Sequence, residues 1–298
     1  MFKCICILFI AAVVCSLPQQ AIAVEPASGK PIPYGVFVKI LEKGDVAKLD
    51  ALVSQGYDLN KPLEKDDTVD EEIRDLTSWP IVDAVEANNF PIIKYLIKHD
   101  VNLNVENDTH IAFFIRPISS AIQKNNITLF KLLVESGASL TWPNKYAKGY
   151  LTDGCLCALV EYKNIEILKY ALNHNAIPNA SFCEGDSCTH PLAIAAKQNS
   201  LDIFKLLVKY GGDVNYQAPY GQTSLITAIA NENIEIVKYI MNNGGDPNKC
   251  GTEGSDPVNR SPLTYAKETG DKDIIAELMK YNPKEECPKE ENNDEQRH

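Results

Sequence analysis

Thiols are the side chains in this sequence best placed to do chemistry. There are nine cysteines, and four of them fall in one neighbourhood: Cys155 and Cys157 one residue apart, then Cys183 and Cys188. Such a cluster can close disulfides or hold a metal. Structural zinc prefers thiolates spaced C-x2-C, a spacing absent from these four. The five histidines, His99, His110, His174, His190 and His298, stand at no spacing from a cysteine, serine or carboxylate that forms a nucleophile motif. HExxH, the phosphate-cradling GxxxxGK[ST] and GxGxxG are all absent. The residues therefore predict no catalytic group, no cofactor and no metal. A metal-binding protein or an enzyme of unfamiliar design would have to rest on the cysteine cluster alone.

The compartment decides how these thiols behave. Lys3 precedes an apolar run over residues 4–17, broken only by Ser16, and Ala21-Ile22-Ala23 forms a small-x-small site. The run is short of the about 20 residues that span a bilayer, so residues 1–23 are predicted to be a signal peptide cleaved after Ala23. The expected destination is periplasmic or secreted, and the short signal ending Ala-Ile-Ala points to the periplasm. Cleavage removes Cys4, Cys6 and Cys15 and leaves six cysteines, an even set suited to disulfides outside the cytoplasm.

Hydrophobic periodicity shows what must position these groups. Leu225, Ala228 and Ile229, then Ile236, Val237, Ile240 and Met241, recur at helical spacing on either side of a polar break at residues 231–233. This predicts helices over 224–230 and 234–242, followed by a positive-φ turn at Gly244 and Gly245. A helix pair this short cannot bury its apolar side without neighbours. The unit does recur. The leucine position falls at Phe37, Ile81, Ile118, Leu156, Leu192, Leu225 and Leu263, with Ile40, Ala84, Ala121, Leu159, Ala195, Ala228 and Ala266 three residues on. The turn after the second helix runs Gly56 to Asn60, Asp100 to Asn104, Gly211 to Asn215 and Gly244 to Asn248, with degenerate forms at 137–140 and 175–179.

The pattern G-x-T-x-L-x-x-A, a hydrophobic helix and then G-x-D-x-N resembles the ankyrin repeat, whose period is about 33 residues. The resemblance covers seven repeats over residues 32–281. It implies an all-α solenoid of stacked helix pairs with finger loops, in a domain spanning 24–281. Anchor spacings of 44, 37, 38, 36, 33 and 38 mean that most fingers are lengthened. The family's T-P-L-H is reduced to His190–Ala193 and Ser261–Thr264. His190 takes the threonine place, where a hydrogen bond to the turn backbone is expected. The first repeat, with Lys39, Lys43, Lys48 and Asp50, and the last, with Lys267, Glu268, Lys272, Asp273 and Glu277, resemble capping repeats.

Repeat phase bears on the cysteines. Cys250 and Cys287 lie at nearly equivalent places in adjacent units, which stack about 10 Å apart, and are expected to pair and tie down the tail. Cys155 and Cys157 are expected to pair with Cys183 and Cys188.

The net charge of −11 argues against nucleic acid or anionic lipid as partner. The acid concentrates in residues 61–78 and in the tail 282–298, which reads as disordered. The finger loops carry aromatics, including Phe113 and Phe114. Trp142, Tyr146, Tyr150, Phe182, Tyr216 and Tyr220 are the predicted partner-binding set, because Trp and Tyr most often anchor protein contacts. The resemblance thus implies a monomeric protein-interaction module contacting a partner of basic or mixed charge. An inhibitor or immunity protein is one specific form. A scaffold or maturation factor for an extracytoplasmic redox enzyme is the alternative, for which the cysteine cluster is the only hint.

Overall fold

The computed structural model describes residues 29–65, 77–105, 116–143, 151–152, 154–184, 187–253 and 258–287. Among them are fourteen α-helices in seven consecutive pairs: α1 (Tyr34–Lys43) with α2 (Val46–Ser54), α3 (Pro80–Glu86) with α4 (Phe90–Lys98), α5 (Pro117–Gln123) with α6 (Ile127–Glu135), α7 (Gly154–Glu161) with α8 (Ile165–Asn173), α9 (Pro191–Lys197) with α10 (Leu201–Lys209), α11 (Ser224–Ala230) with α12 (Ile234–Asn242), and α13 (Pro262–Thr269) with α14 (Lys272–Met279). The bounds of α11 and α12 are those the periodicity gives. The strands among the described residues are two small hairpins in the fingers: β1 (Trp142–Pro143) with β2 (Leu151–Thr152), and β3 (Phe182–Glu184) with β4 (Ser187–Thr189). No helix of the described residues is long and apolar enough to cross a membrane.

Each pair folds on two left-handed residues. The first ends the first helix: Gly44, Asn88, Asn125, Lys163, Asn199, Glu232 and Gly270 all have positive φ. The second follows the second helix, at Gly56, Asp100, Gly137, Asn175, Gly211, Gly244 and Asn282. The two are twelve residues apart in all seven pairs. Only Gly244 of the predicted glycine pair turns through positive φ (84°); Gly245 is needed for space, since a Cβ there would lie 2.9 Å from the Ile240 carbonyl.

Immediately after the first left-handed residue comes an N-cap. Asp45, Asn89, Asn126, Asn164 and Asp271 each accept a backbone N–H from the first turn of the second helix, as Asn89 does from Ile92 at 3.2 Å. Such a cap replaces one of the donors that a helix start leaves unpaired.

The apolar sides meet in one continuous core along the stack. Phe37, Ile81, Ile118, Leu156, Leu192 and Leu225 are all within it, with Phe130 and Phe204 among its largest fully buried side chains. First helices pack in a row from α3 through α5, α7, α9 and α11 to α13.

Polar ladders fix the register between units. Asn215 donates to the Gly244 carbonyl (2.8 Å) and accepts the Asp246 N–H (2.8 Å). Asn179 makes the same two bonds to Gly211 and Asp213, Asn60 to Asp100 and Asn102, and Asn248 accepts from Lys284. A second ladder joins the second helices: Tyr95 to Asp50, Tyr170 to Glu135, Tyr210 to Asn173 and Tyr281 to Asn242.

Candidate functional site

The fingers over residues 181–260 join into one row. Gln217 bridges to Thr223, Gln222 to Thr252, and Gly251 to Arg260. The side-chain amide of Gln217 donates to the Cys250 carbonyl at 2.9 Å, and the Thr252 hydroxyl to the Tyr220 carbonyl at 2.7 Å. Further back, the Tyr216 and Ser181 hydroxyls hydrogen-bond at 2.7 Å. The row is therefore a surface with fixed relative positions.

The predicted aromatic set divides on this surface. Phe182 is half-buried and packs against the core. Tyr216 is also half-buried, its hydroxyl on Ser181 and its ring edge-on to His190 at 5.1 Å. Tyr216 thereby holds two fingers together. Tyr220 is 60 % exposed, at the tip of the 3-10 turn Pro219–Gly221. Its φ of 66° is the left-handed region, which costs a bulky residue about 1 kcal/mol or more. Trp142 lies on β1, and Tyr146, Tyr150, Phe113 and Phe114 lie outside the described residues.

His190 departs from the expected role. Its side chain makes no cap bond to the turn of α9, whereas Thr223 at the same place in the next repeat accepts the Ile226 N–H. The imidazole is fully buried with neither nitrogen hydrogen-bonded, and burial pushes it down from 6.5 to about 3. His99 and His174 are the C-caps of α4 and α8, each with its ring against the tyrosine one turn earlier.

The expected bridges from Cys155 and Cys157 to the finger cysteines are not made. Both are thiols buried inside the stack on α7, where their side chains serve as core. Cys188 is disulfide-bonded, and Cys183 is its register partner across the hairpin of β3 and β4. The structure joins Cys250 to Cys287, with Cα atoms 5.8 Å apart. Among the described residues no three His, Cys, Asp or Glu side chains converge.

Beside the finger row, the first helices present polar groups that are already paired. Thr227 donates to Glu253 at 2.7 Å; burial raises that carboxyl, while Thr227, Lys197 and Gln222 draw it back. Glu86 accepts from Ser120 and pairs with Lys124 at 3.2 Å. Asp83 is raised by burial against the pull of Ser78 and Lys65. Arg260 lies 3.4 Å from Glu268 and over the Tyr265 ring. Sequence reasoning passed over these groups because no single-repeat motif marks them; Glu253 and Glu86 find their partners in a neighbouring repeat.

Comparison with known proteins agrees with this architecture. An ankyrin-repeat family model (3 copies) matches residues 118–218 and, overlapping them, 155–251. The crystal structure of an ankyrin repeat domain from Acinetobacter baumannii superposes with a TM-score of 0.54 at 21 % identity, covering 69 % of this chain and 98 % of that one. The fold is that of an ankyrin-repeat domain. Among curated proteins, an ankyrin repeat protein of Acanthamoeba polyphaga mimivirus is 28 % identical over 166 residues, covering 56 % of this chain and 20 % of its own length. A potassium channel of Arabidopsis thaliana is 38 % identical over 87 residues, covering 29 % of this chain and 10 % of its own. The chain thus spans a fifth or less of these two relatives. Ankyrin repeats generally mediate contacts between proteins.

Proposed function

We propose that this chain is a protein-interaction module whose partner docks across the finger row and the adjoining first-helix face. Tyr220 is the observation that carries the reading. A tyrosine held in the left-handed region and turned into water has no packing role to offset its strain, and residues under such strain concentrate at contact sites. The surface around it is held by hydrogen bonds between fingers, so a partner meets it preorganised.

Finer features follow the same reading. The net charge of −11 suits a basic or mixed-charge partner, including a toxin or enzyme whose active surface is capped by an inhibitor. Export by cleavage after Ala23 fits the Cys250–Cys287 bond, which persists only outside a reducing compartment. The last repeat presents Lys267, Glu268, Lys272 and Asp273 to solvent, which suits a monomer. A redox-enzyme scaffold would need an accessible reactive thiol pair, whereas Cys155 and Cys157 are buried.

The test is capture by the full chain from native extract, beside a Tyr220→Asn variant and a Trp142→Ala/Tyr146→Ala/Tyr150→Ala variant. A stoichiometric partner bound about tenfold or more weakly by Tyr220→Asn supports the reading. Equal binding by that variant and the parent chain removes the finger tip from the interface.

A further inference from the structure

After the seventh helix pair the chain folds back on itself. After α14 the chain turns at Asn282 and runs back along the unit it has just completed. The Lys284 N–H donates to the Asn248 side chain at 2.7 Å, the rung that Asp246 supplies to Asn215 one repeat earlier. The next carbonyl, of Glu285, accepts both the Ser261 hydroxyl (2.8 Å) and the Thr264 hydroxyl (2.7 Å) at the start of α13. Lys267 pairs with the Glu285 carboxylate. Cys287 then bonds to Cys250 at the root of the last finger. Residues 282–287 so occupy the side of that finger where a further repeat would stack.

Every hydrogen bond in this closure is of an ordinary kind, and residues 284–286 are exposed. A few solvent-edge hydrogen bonds do not hold a terminal segment against its conformational entropy. The covalent bond does. It is also the bond a reductant reaches first: Cys250 and Cys287 are half-buried, whereas Cys188 is 5 % exposed.

We propose that residues 282–287 form a latch released by reduction. A dithiol donates two electrons: its thiolate attacks one sulfur of the Cys250–Cys287 bond to give a mixed disulfide, and its second thiol displaces the protein sulfur. The products are two protein thiols, protonated from the dithiol or solvent, and the dithiol as a cyclic disulfide. The freed segment leaves the Ser261 and Thr264 hydroxyls and the Asn248 side-chain oxygen open to solvent beside the last finger, while the seven helix pairs stay folded. Where the finger row is the contact surface proposed above, opening extends it by one edge; the release itself does not depend on that reading.

Amide hydrogen exchange with and without a small dithiol, followed by alkylation and peptide mass analysis, tests the latch on the full chain. The expected result is alkylation of Cys250 and Cys287 ahead of Cys155 and Cys157. Exchange at the Lys284 amide, the one that donates to Asn248, should rise about tenfold or more, with α11 to α14 unchanged. A Cys287→Ser variant should show the opened pattern without reductant. Ser261→Ala with the disulfide intact should stay closed. Continued protection of the Lys284 amide after both sulfurs are alkylated would overturn the proposal, as would loss of protection through α13 and α14, which would make the bond a staple of the fold.

Discussion

His190 is the residue that departs furthest from its place in the repeat. Where Thr223 accepts a backbone N–H, it offers two ring nitrogens that meet nothing. Its pKa falls from 6.5 to about 3 on folding. Above pH 6.5 both folded and unfolded chains hold it neutral, and it makes no pH-dependent difference. As the pH drops below 6.5 the unfolded chain takes up a proton that the folded chain refuses, so stability is lost progressively until the folded pKa is passed. Urea unfolding should therefore lose about 3 kcal/mol between pH 7 and pH 4 from this site, and His190→Thr should remove that loss. Tyr220→Asn makes the opposite kind of test. Asparagine tolerates the left-handed region, so the variant should raise stability by about 0.5–1 kcal/mol in thermal unfolding even as it weakens the partner. Neither behaviour was legible in the sequence. The repeat phase put His190 at the threonine place, but whether an imidazole there reaches the backbone depends on the packing of Tyr216 from the next finger.

At the scale of the element, helices were legible and the joints between them only in part. Apolar spacing placed α11 and α12, because burial of one side is what the spacing encodes. The left-handed residue before each second helix went unread as a repeat feature, although the signal was present: Gly44-Asp45, Asn88-Asn89, Asn125-Asn126 and Gly270-Asp271 pair a left-handed residue with a cap. A lysine or glutamate at that position hides the pattern, as Lys163 and Glu232 do. The cysteine misreading has a related cause. Closeness in sequence made Cys155 and Cys157 partners for Cys183 and Cys188, but on α7 both side chains are taken into the core. The ladders that cross repeats carry a direct prediction. Asn215→Ala removes one donor and one acceptor between adjacent turns and should cost about 1–2 kcal/mol in denaturant unfolding, with faster amide exchange confined to residues 244–248.

For the whole molecule, what matters is where length is allowed to vary. The anchor spacings range from 33 to 44, yet the two left-handed joints of every pair keep their separation of twelve. All of the variation therefore falls in the fingers and none within a helix pair. Two insertions should behave very differently. Four Gly/Ser residues after Tyr220 should leave the helical circular dichroism intact and lower thermal stability by no more than about 1 kcal/mol, since loop length is cheap. One alanine inserted between Ala230 and Asn231 should shift α12 out of register and cost several times as much, through the packing of Ile236, Val237 and Ile240. The fixed interval works as a ruler laid seven times along the chain, with free text between its marks. Changes in that text reshape one finger while the stacking is copied unchanged, so the surface can be rewritten without the fold being solved again.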